Sequence, residues 1–415
     1  MFVSDLRLVN FRSYCDAAVR FGAGLNVVVG QNATGKTNLL EGAWFALRGS
    51  SPRTRREDKL LTWGERFTRV ELALDGAEQG RQDVEIAYAT GQGKRARWNG
   101  LEVASHEDLR SRSQVFIFVP ESLLLVKGSP ARRRAHLDAF AATLDPQYAA
   151  AARDLQAALR QRNAQLLAVK HGAHAAALDP WDVQFARAAV ALGRRRRDLV
   201  GELATRFAAT AAALAPGPGE FDLKLVTQLA TVEFDEEALV QELRARRAGE
   251  AARGLSLFGP HRDDLRFLEV AVAAPARTDS LIPIVASGPA CGPVDLPAGG
   301  RDLRLFGSQG EQRAAVLALL LAEQELAAAR TGQQGTLFLD DVMSELDDAR
   351  RRLLVHMLAS AGQAIITTTN RHYFTEEELA HATVIELPLS GSLAADAASP
   401  PADAAPPGPP AEDAV

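Results

Sequence analysis

The chain has 415 residues, with 47 Lys and Arg against 52 Asp and Glu and a formal net charge of −5. That length supports a large core and two domains. Two cysteines, Cys15 and Cys291, exclude a disulfide framework or a zinc site and suit a reducing cytosol, and no uncharged apolar run approaches the roughly 18 residues of a membrane span, so no membrane partner is expected.

In chain order, Met1 leads directly into the alternating Leu6-Arg7-Leu8-Val9, a strand with no targeting segment before it. Leu25-Asn26-Val27-Val28-Val29 reads as a buried strand, and Asn38 to Leu47 as a helix. Arg69 to Leu74 and Val84 to Tyr88 alternate like antiparallel strands. Val115-Phe116-Ile117-Phe118-Val119 is an apolar strand stopped by Pro120. Residues 121 to about 254 turn Ala-, Leu- and Arg-rich with helical spacing. Two long helices, about 146 to 170 and 181 to 214, parted by Asp179-Pro180, suggest an antiparallel pair, with too few heptads for a long coiled coil. From about 255 α/β character returns, interrupted by a Pro-, Gly- and Ala-rich surface loop at 273–300. The tail from Ser390 has a disordered composition.

The charge is uneven. Between His372 and Val415 stand eight acidic residues and no Lys or Arg, which leaves the first 371 residues at +3. Arginines cluster at Arg53, Arg55 and Arg56, at Arg132 to Arg134, at Arg194 to Arg197, and at Arg244, Arg246 and Arg247. Each cluster is either part of a basic face or a solvated helix surface.

The chemistry concentrates between the strand and the helix near residue 30. Gly30-Gln31-Asn32-Ala33-Thr34-Gly35-Lys36-Thr37 is a G-x-x-x-x-G-K-T loop, flanked by the strand and helix that give the pattern meaning. Such a loop aims backbone N–H groups and a helix N-terminus, here including Asn38, at phosphates. Lys36, in a solvent-facing cleft, reaches the terminal phosphates of ATP, and the Thr37 hydroxyl ligates Mg²⁺. Far downstream, Thr336-Leu337-Phe338-Leu339-Asp340-Asp341 is an apolar strand ending in two carboxylates, the form of a Walker B element. There Asp340 holds Mg²⁺ and Asp341 polarises the attacking water.

Val342-Met343-Ser344-Glu345-Leu346-Asp347 resembles the D-loop of ABC-type ATPases, and Phe306-Gly307-Ser308-Gln309-Gly310-Glu311-Gln312-Arg313 resembles their signature motif. Ser308 and Gly310 open a helix and so offer a hydroxyl and N–H groups to a γ-phosphate, which in this class belongs to the opposite subunit. Thr367-Thr368-Thr369-Asn370, after the strand Ala364-Ile365-Ile366, holds a polar side chain, Thr369 first, that can sense the γ-phosphate, or is a plain strand end. Arg12 and Tyr14 flank the nucleotide or pair with a neighbouring carboxylate. Gly259-Pro260-His261-Arg262-Asp263-Asp264 is a turn or an element near the nucleotide or dimer interface. Lys36 and Asp340 stand about 300 residues apart. Transporter ATPase subunits keep these motifs much closer, and SMC-like proteins separate them with an arm. The fold class expected is α/β: an ABC-type P-loop ATPase head with an inserted compact, mainly helical arm.

The chain resembles the RecF family of bacterial replication and repair ATPases. Leu8 to Tyr14, Pro120 to Pro130 followed by Arg133-Arg134, Gln161-Arg162-Asn163, Leu178 to Asp182, Gly259 to Asp264 and Phe306 to Gly310 carry the resemblance, over about residues 1 to 388. It departs at the long 273–300 segment, at His136, where an aromatic residue is usual, and after Pro388. The resemblance implies a head from 1–120 and 255–389, an arm (lobe II) at 121–254, and an acidic Ala/Pro-rich tail at 390–415. It further implies a weak, DNA-stimulated ATPase in the nucleoid-associated cytoplasm. An ATP-dependent homodimer would hold double-stranded DNA near gaps and single-strand/double-strand junctions and, with RecO and RecR, promote RecA loading.

Overall fold

The computed structural model describes residues 1–76, 80–214, 219–271, 281–283 and 300–389. Most of the 273–300 segment and the tail from Ser390 lie outside the described residues. The expected α/β architecture is what the chain forms.

Its centre is a five-stranded parallel sheet in the order Thr383–Glu386, Leu25–Val29, Ala364–Thr368, Thr336–Asp340, Val115–Phe118. Sheets of this kind are covered on both faces, which is why these strands read as unbroken apolar runs. Successive side chains still alternate. Val27, Leu337 and Leu339 enter one core, while Val28 and Phe338 enter the other. The second core contains the helix Lys36–Arg48, sandwiched against a six-stranded antiparallel sheet in the order Tyr14–Arg20, Phe2–Phe11, Phe67–Asp75, Gln82–Ala89, Gly93–Trp98, Leu101–Glu102. Because all five central strands run the same way, the segments leaving Val29, Phe118, Asp340 and Thr368 gather at one edge, where ligands of open α/β sheets bind.

The first core joins the sheet to the helices Gln309–Thr331, Pro130–Leu144, Pro146–Lys170, Asp179–Leu214 and Glu236–Arg253. Pro146–Lys170 and Asp179–Leu214 run antiparallel, since Arg195 bonds Asp145 at one end and Arg162 bonds Asp182 at the other. The chain turns before Asp179, and Pro180 sits in the first turn of the second helix, where its missing N–H costs nothing. The stretch read as helical also holds a strand, Gly219–Thr227, antiparallel to Asp264–Ala271. Leu281–Pro283, inside the segment read as a loop, adds a further parallel strand to it.

Charged clusters are partly internal. Arg162 is fully buried and bonds Asp182 at 2.8 Å, Ser256 at 2.7 Å and Glu250 at 2.6 Å. Arg196 is buried and bonds Asp263 and Asp138; Arg133 is buried and bonds Asp264. These arginines are therefore neither a basic face nor a solvated one. Among the described residues no helix is long and apolar enough to cross a membrane.

Candidate functional site

The loop after Val29 is wound by two left-handed residues, Ala33 at φ 67° and Gly35 at φ 97°. A Cβ at Gly35 would lie 2.7 Å from the Tyr14 hydroxyl oxygen, so only glycine fits there. Tyr14 donates to the Gly35 carbonyl at 3.1 Å, and Asn38 Nδ2 donates to Ser13 Oγ at 2.9 Å, so the turn into the second strand braces the loop. Gly30 N–H donates to Thr368 O at 3.1 Å, and Thr34 Oγ1 to Gln31 O at 2.8 Å. Gln31, Asn32 and Ala33 form the exposed crest. The helix Lys36–Arg48 starts with no side-chain cap, so its first N–H groups are presented at the loop's mouth.

Lys36 is not in a solvent-facing cleft, as the sequence reading had it. It is 8% exposed, and its ammonium lies within the loop, donating to Gly30 O at 2.7 Å and Gln31 O at 2.8 Å. Burial pulls its pKa down, and Asp341 and Asp340 oppose that pull. An ammonium held by neutral carbonyls at the centre of an anion-shaped loop is chemically ready to exchange them for phosphate oxygens.

Thr37, on the first turn of that helix, donates to Asp340 Oδ2 at 2.7 Å. Asp340 is buried, and its other oxygen, Oδ1, accepts from Thr367 Oγ1 at 2.7 Å. Asp341 follows at φ 46°, a conformation that turns the chain sharply off the strand. Its Oδ1 is buried without a hydrogen-bond partner. Burial, then the neighbouring Asp340 charge, raises its pKa, while the Ser344 hydroxyl and then the Lys36 charge lower it. No cluster of three or more His, Cys, Asp or Glu among the described residues could cage a metal. A Thr hydroxyl beside one carboxylate suits a hard cation that takes its remaining ligands from phosphate and water, as Mg²⁺ does.

Arg12 makes a bidentate pair with the buried Glu41, at 2.9 and 2.7 Å, and donates to Lys59 O at 2.7 Å. Of its two open readings, pairing with a neighbouring carboxylate is what the structure shows. Arg53 reaches the same Glu41 and also Asn38 Oδ1, both at 3.1 Å. Two guanidinium groups thus stand beside the loop's helix on a single buried anchor. Sequence reading missed Glu41 and Arg53, because a glutamate on a helix and an arginine in a cluster carry no mark of convergence.

Ser308 caps the helix Gln309–Thr331 in a reciprocal box with Glu311. Beyond Gly310 a Cβ would meet nothing within 4 Å, so this helix start is open. Among the described residues, no hydrogen bond joins Ser308, Gly310 or Thr369 to Lys36, Thr37 or Asp340. One turn further, Arg313 pairs with Glu345, which ties the signature helix to the D-loop segment. Thr369 leaves the strand half-buried. The threonine that meets the carboxylates is Thr367, two residues earlier and paired in register with Asp340. Gly259 to Asp264 is a turn wired to the helical segment, with Asp263 on Arg196, Asp264 on Arg133 and His261 on Ser256 O.

A family model described as the RecF/RecN/SMC N terminal domain matches residues 2–386. The chain is 36% identical over 377 residues to the DNA replication and repair protein RecF of Acidothermus cellulolyticus, covering 88% of this chain and 93% of that one. It is 33% identical over 392 residues to the RecF of Heliobacterium modesticaldum, covering 93% and 97%. Among solved structures it is similar to the recombination mediator protein RecF-ATPrS in the RecFOR pathway, at 25% identity and a TM-score of 0.73, covering 90% of this chain and 94% of that one.

Proposed function

The chain belongs to the RecF family of DNA replication and repair proteins, and from that membership and the geometry above we propose that it is a DNA-binding ATPase of recombinational repair whose two copies close on ATP. The observation that carries this is the bond between Thr37 and Asp340, which brings the phosphate loop and the Walker B strand together across 303 residues.

Within this reading, residues 1–120 and 255–389 form the head and 121–254 the arm. Gly30 to Asn38 cradle the phosphates with N–H groups, and Lys36 neutralises the terminal ones. Thr37 and Asp340 would hold Mg²⁺, which supplies charge neutralisation between the phosphates. Asp341 orients and polarises the attacking water through its uncommitted oxygen. Arg12, anchored by Glu41, flanks the nucleotide. Ser308 and Gly310 serve the γ-phosphate of the partner copy, which agrees with their lack of contact with the chain's own loop. Thr369, after the strand beside the loop, is placed to sense the γ-phosphate that the loop holds. Double-stranded DNA near gaps and junctions, stimulation of a weak ATPase by DNA, and cooperation with RecO and RecR in RecA loading complete the proposal, in the cytoplasm at the nucleoid.

The test is calorimetric titration with ATP and Mg²⁺. The Lys36→Ala protein should keep its thermal unfolding profile and lose ATP binding, and unaltered ATP affinity would remove the loop from the assignment. Separately, the hydrolysis rate should rise on adding gapped duplex DNA.

A further inference from the structure

Thr367 sits in the strand Ala364–Thr368, between the strand that feeds the phosphate loop and the strand that ends in Asp340, and it is wholly buried. A threonine hydroxyl has one proton to give and lone pairs to receive. Here the proton goes to Asp340 Oδ1 at 2.7 Å, and a lone pair takes the Asp341 N–H at 3.0 Å. One oxygen atom therefore contacts both carboxylate residues.

Both contacts have consequences for geometry. With Oδ1 engaged, Asp340 has only Oδ2 to turn toward Thr37. At Asp341 the chain leaves the strand in a left-handed conformation that L-residues rarely adopt. Its N–H has left the regular ladder, and the Thr367 oxygen gives that part-buried donor its acceptor. Ser344 Oγ donates to the Asp341 carbonyl at 3.1 Å and holds the turn from the other side.

We propose that Thr367 is a positioning residue for nucleotide hydrolysis, fixing through one hydroxyl both the single-oxygen presentation of Asp340 and the turned backbone of Asp341. The proposal rests on the ATP-site reading above and deepens it. Thr367 does not touch the reacting atoms; it sets where the two carboxylates stand.

The experiment compares Thr367→Val, which keeps the shape and removes the hydroxyl, with Thr367→Ser, which keeps the hydroxyl. ATP binding is titrated by calorimetry in EDTA and across a Mg²⁺ series, and kcat and KM are measured separately. Thr367→Val should need about 10-fold more Mg²⁺ for the same gain in ATP affinity and lose about 10- to 100-fold in kcat, the range seen when a group holding a metal ligand is removed. Its ATP affinity in EDTA and its KM should stay put, and Thr367→Ser should match the unmodified protein. Normal Mg²⁺ dependence in Thr367→Val, or equal damage in Thr367→Ser, overturns the proposal. Asp340→Asn is run alongside. If it loses Mg²⁺ dependence while Thr367→Val does not, only the role of Thr367 is wrong; if it too is unaffected, the ATP-site reading falls with it. Should Thr367→Val not fold, amide exchange at Asp341 in the unmodified and Thr367→Ser proteins decides: protection in both supports the bond, and exchange at an open-loop rate refutes it.

Discussion

Replacing Asp341 by Asn separates nucleotide binding from turnover. Asparagine is nearly the same shape and is among the few residues that accept a left-handed backbone, so the turn at φ 46° survives the change. What is lost is a carboxylate oxygen that no other group can replace. Asp340 has both oxygens engaged, on Thr37 and Thr367, whereas Asp341 Oδ1 is buried with no partner. Loss of a positioned general base costs about 10²- to 10⁴-fold in rate, which is roughly 2.7 to 5.4 kcal/mol of barrier. The Asp341→Asn protein should bind ATP with Mg²⁺ as well as the parent does and fall by that factor in phosphate release. Calorimetry gives the first quantity and a coupled phosphate assay the second. Hydrolysis within a few-fold of the parent would refute the division of labour between the two carboxylates, and loss of ATP binding would show that Asp341 belongs to the cradle.

Other outcomes follow from the same contacts. Arg162→Ala leaves Glu250 buried without its cation, while Asp182 keeps Arg247, so chemical denaturation should show a loss of about 3–5 kcal/mol, and an unchanged midpoint would mean that water replaces the guanidinium. Burial, reinforced by Arg262, Arg134 and Arg162, depresses His261 from 6.5 to about 4. The unfolded chain then binds the extra proton first, so stability should hold above pH 6.5 and fall as the pH drops toward 4; His261→Phe should flatten that slope in a denaturation series. Ser308→Arg should leave ATP binding intact and abolish ATP-driven association in the Asp341→Asn background, as read by light scattering; a dimer of normal stability would argue against a trans role for that helix start.

Much of the fold is written in local pattern. The strands Leu25–Val29, Val115–Phe118 and Thr336–Asp340 stand out because a parallel sheet covered on both faces demands unbroken apolar runs. Gly219–Thr227 did not stand out. Its alternation of Phe221, Leu223 and Leu225 lies among Ala- and Arg-rich helices, and its partner begins only at Asp264. The arginine clusters misled for a geometric reason. Successive helix residues point about 100° apart, so Arg133 and Arg196 turn inward to Asp264 and Asp263 while a neighbour such as Arg132 stays outside. In the site, the loop and the Walker B strand were legible because each motif carries its own chemistry. Thr367 was legible only as part of the polar run ending a strand, and Glu41 not at all, since their roles arise only when strand register and distant arginines bring partners to them.

The claim at the centre of this account is that a working site is composite: the loop and carboxylates of one copy with the signature helix of another. Mixing two inactive proteins tests it most directly. Lys36→Ala lacks the loop cation and keeps its Ser308 helix, whereas Ser308→Arg keeps the loop and blocks that helix. Neither alone should hydrolyse ATP in the presence of DNA, and the mixture should recover activity, because a mixed pair contains one intact site. A mixture as inactive as its components, or a Ser308→Arg protein that hydrolyses ATP alone at the parental rate, would contradict the account.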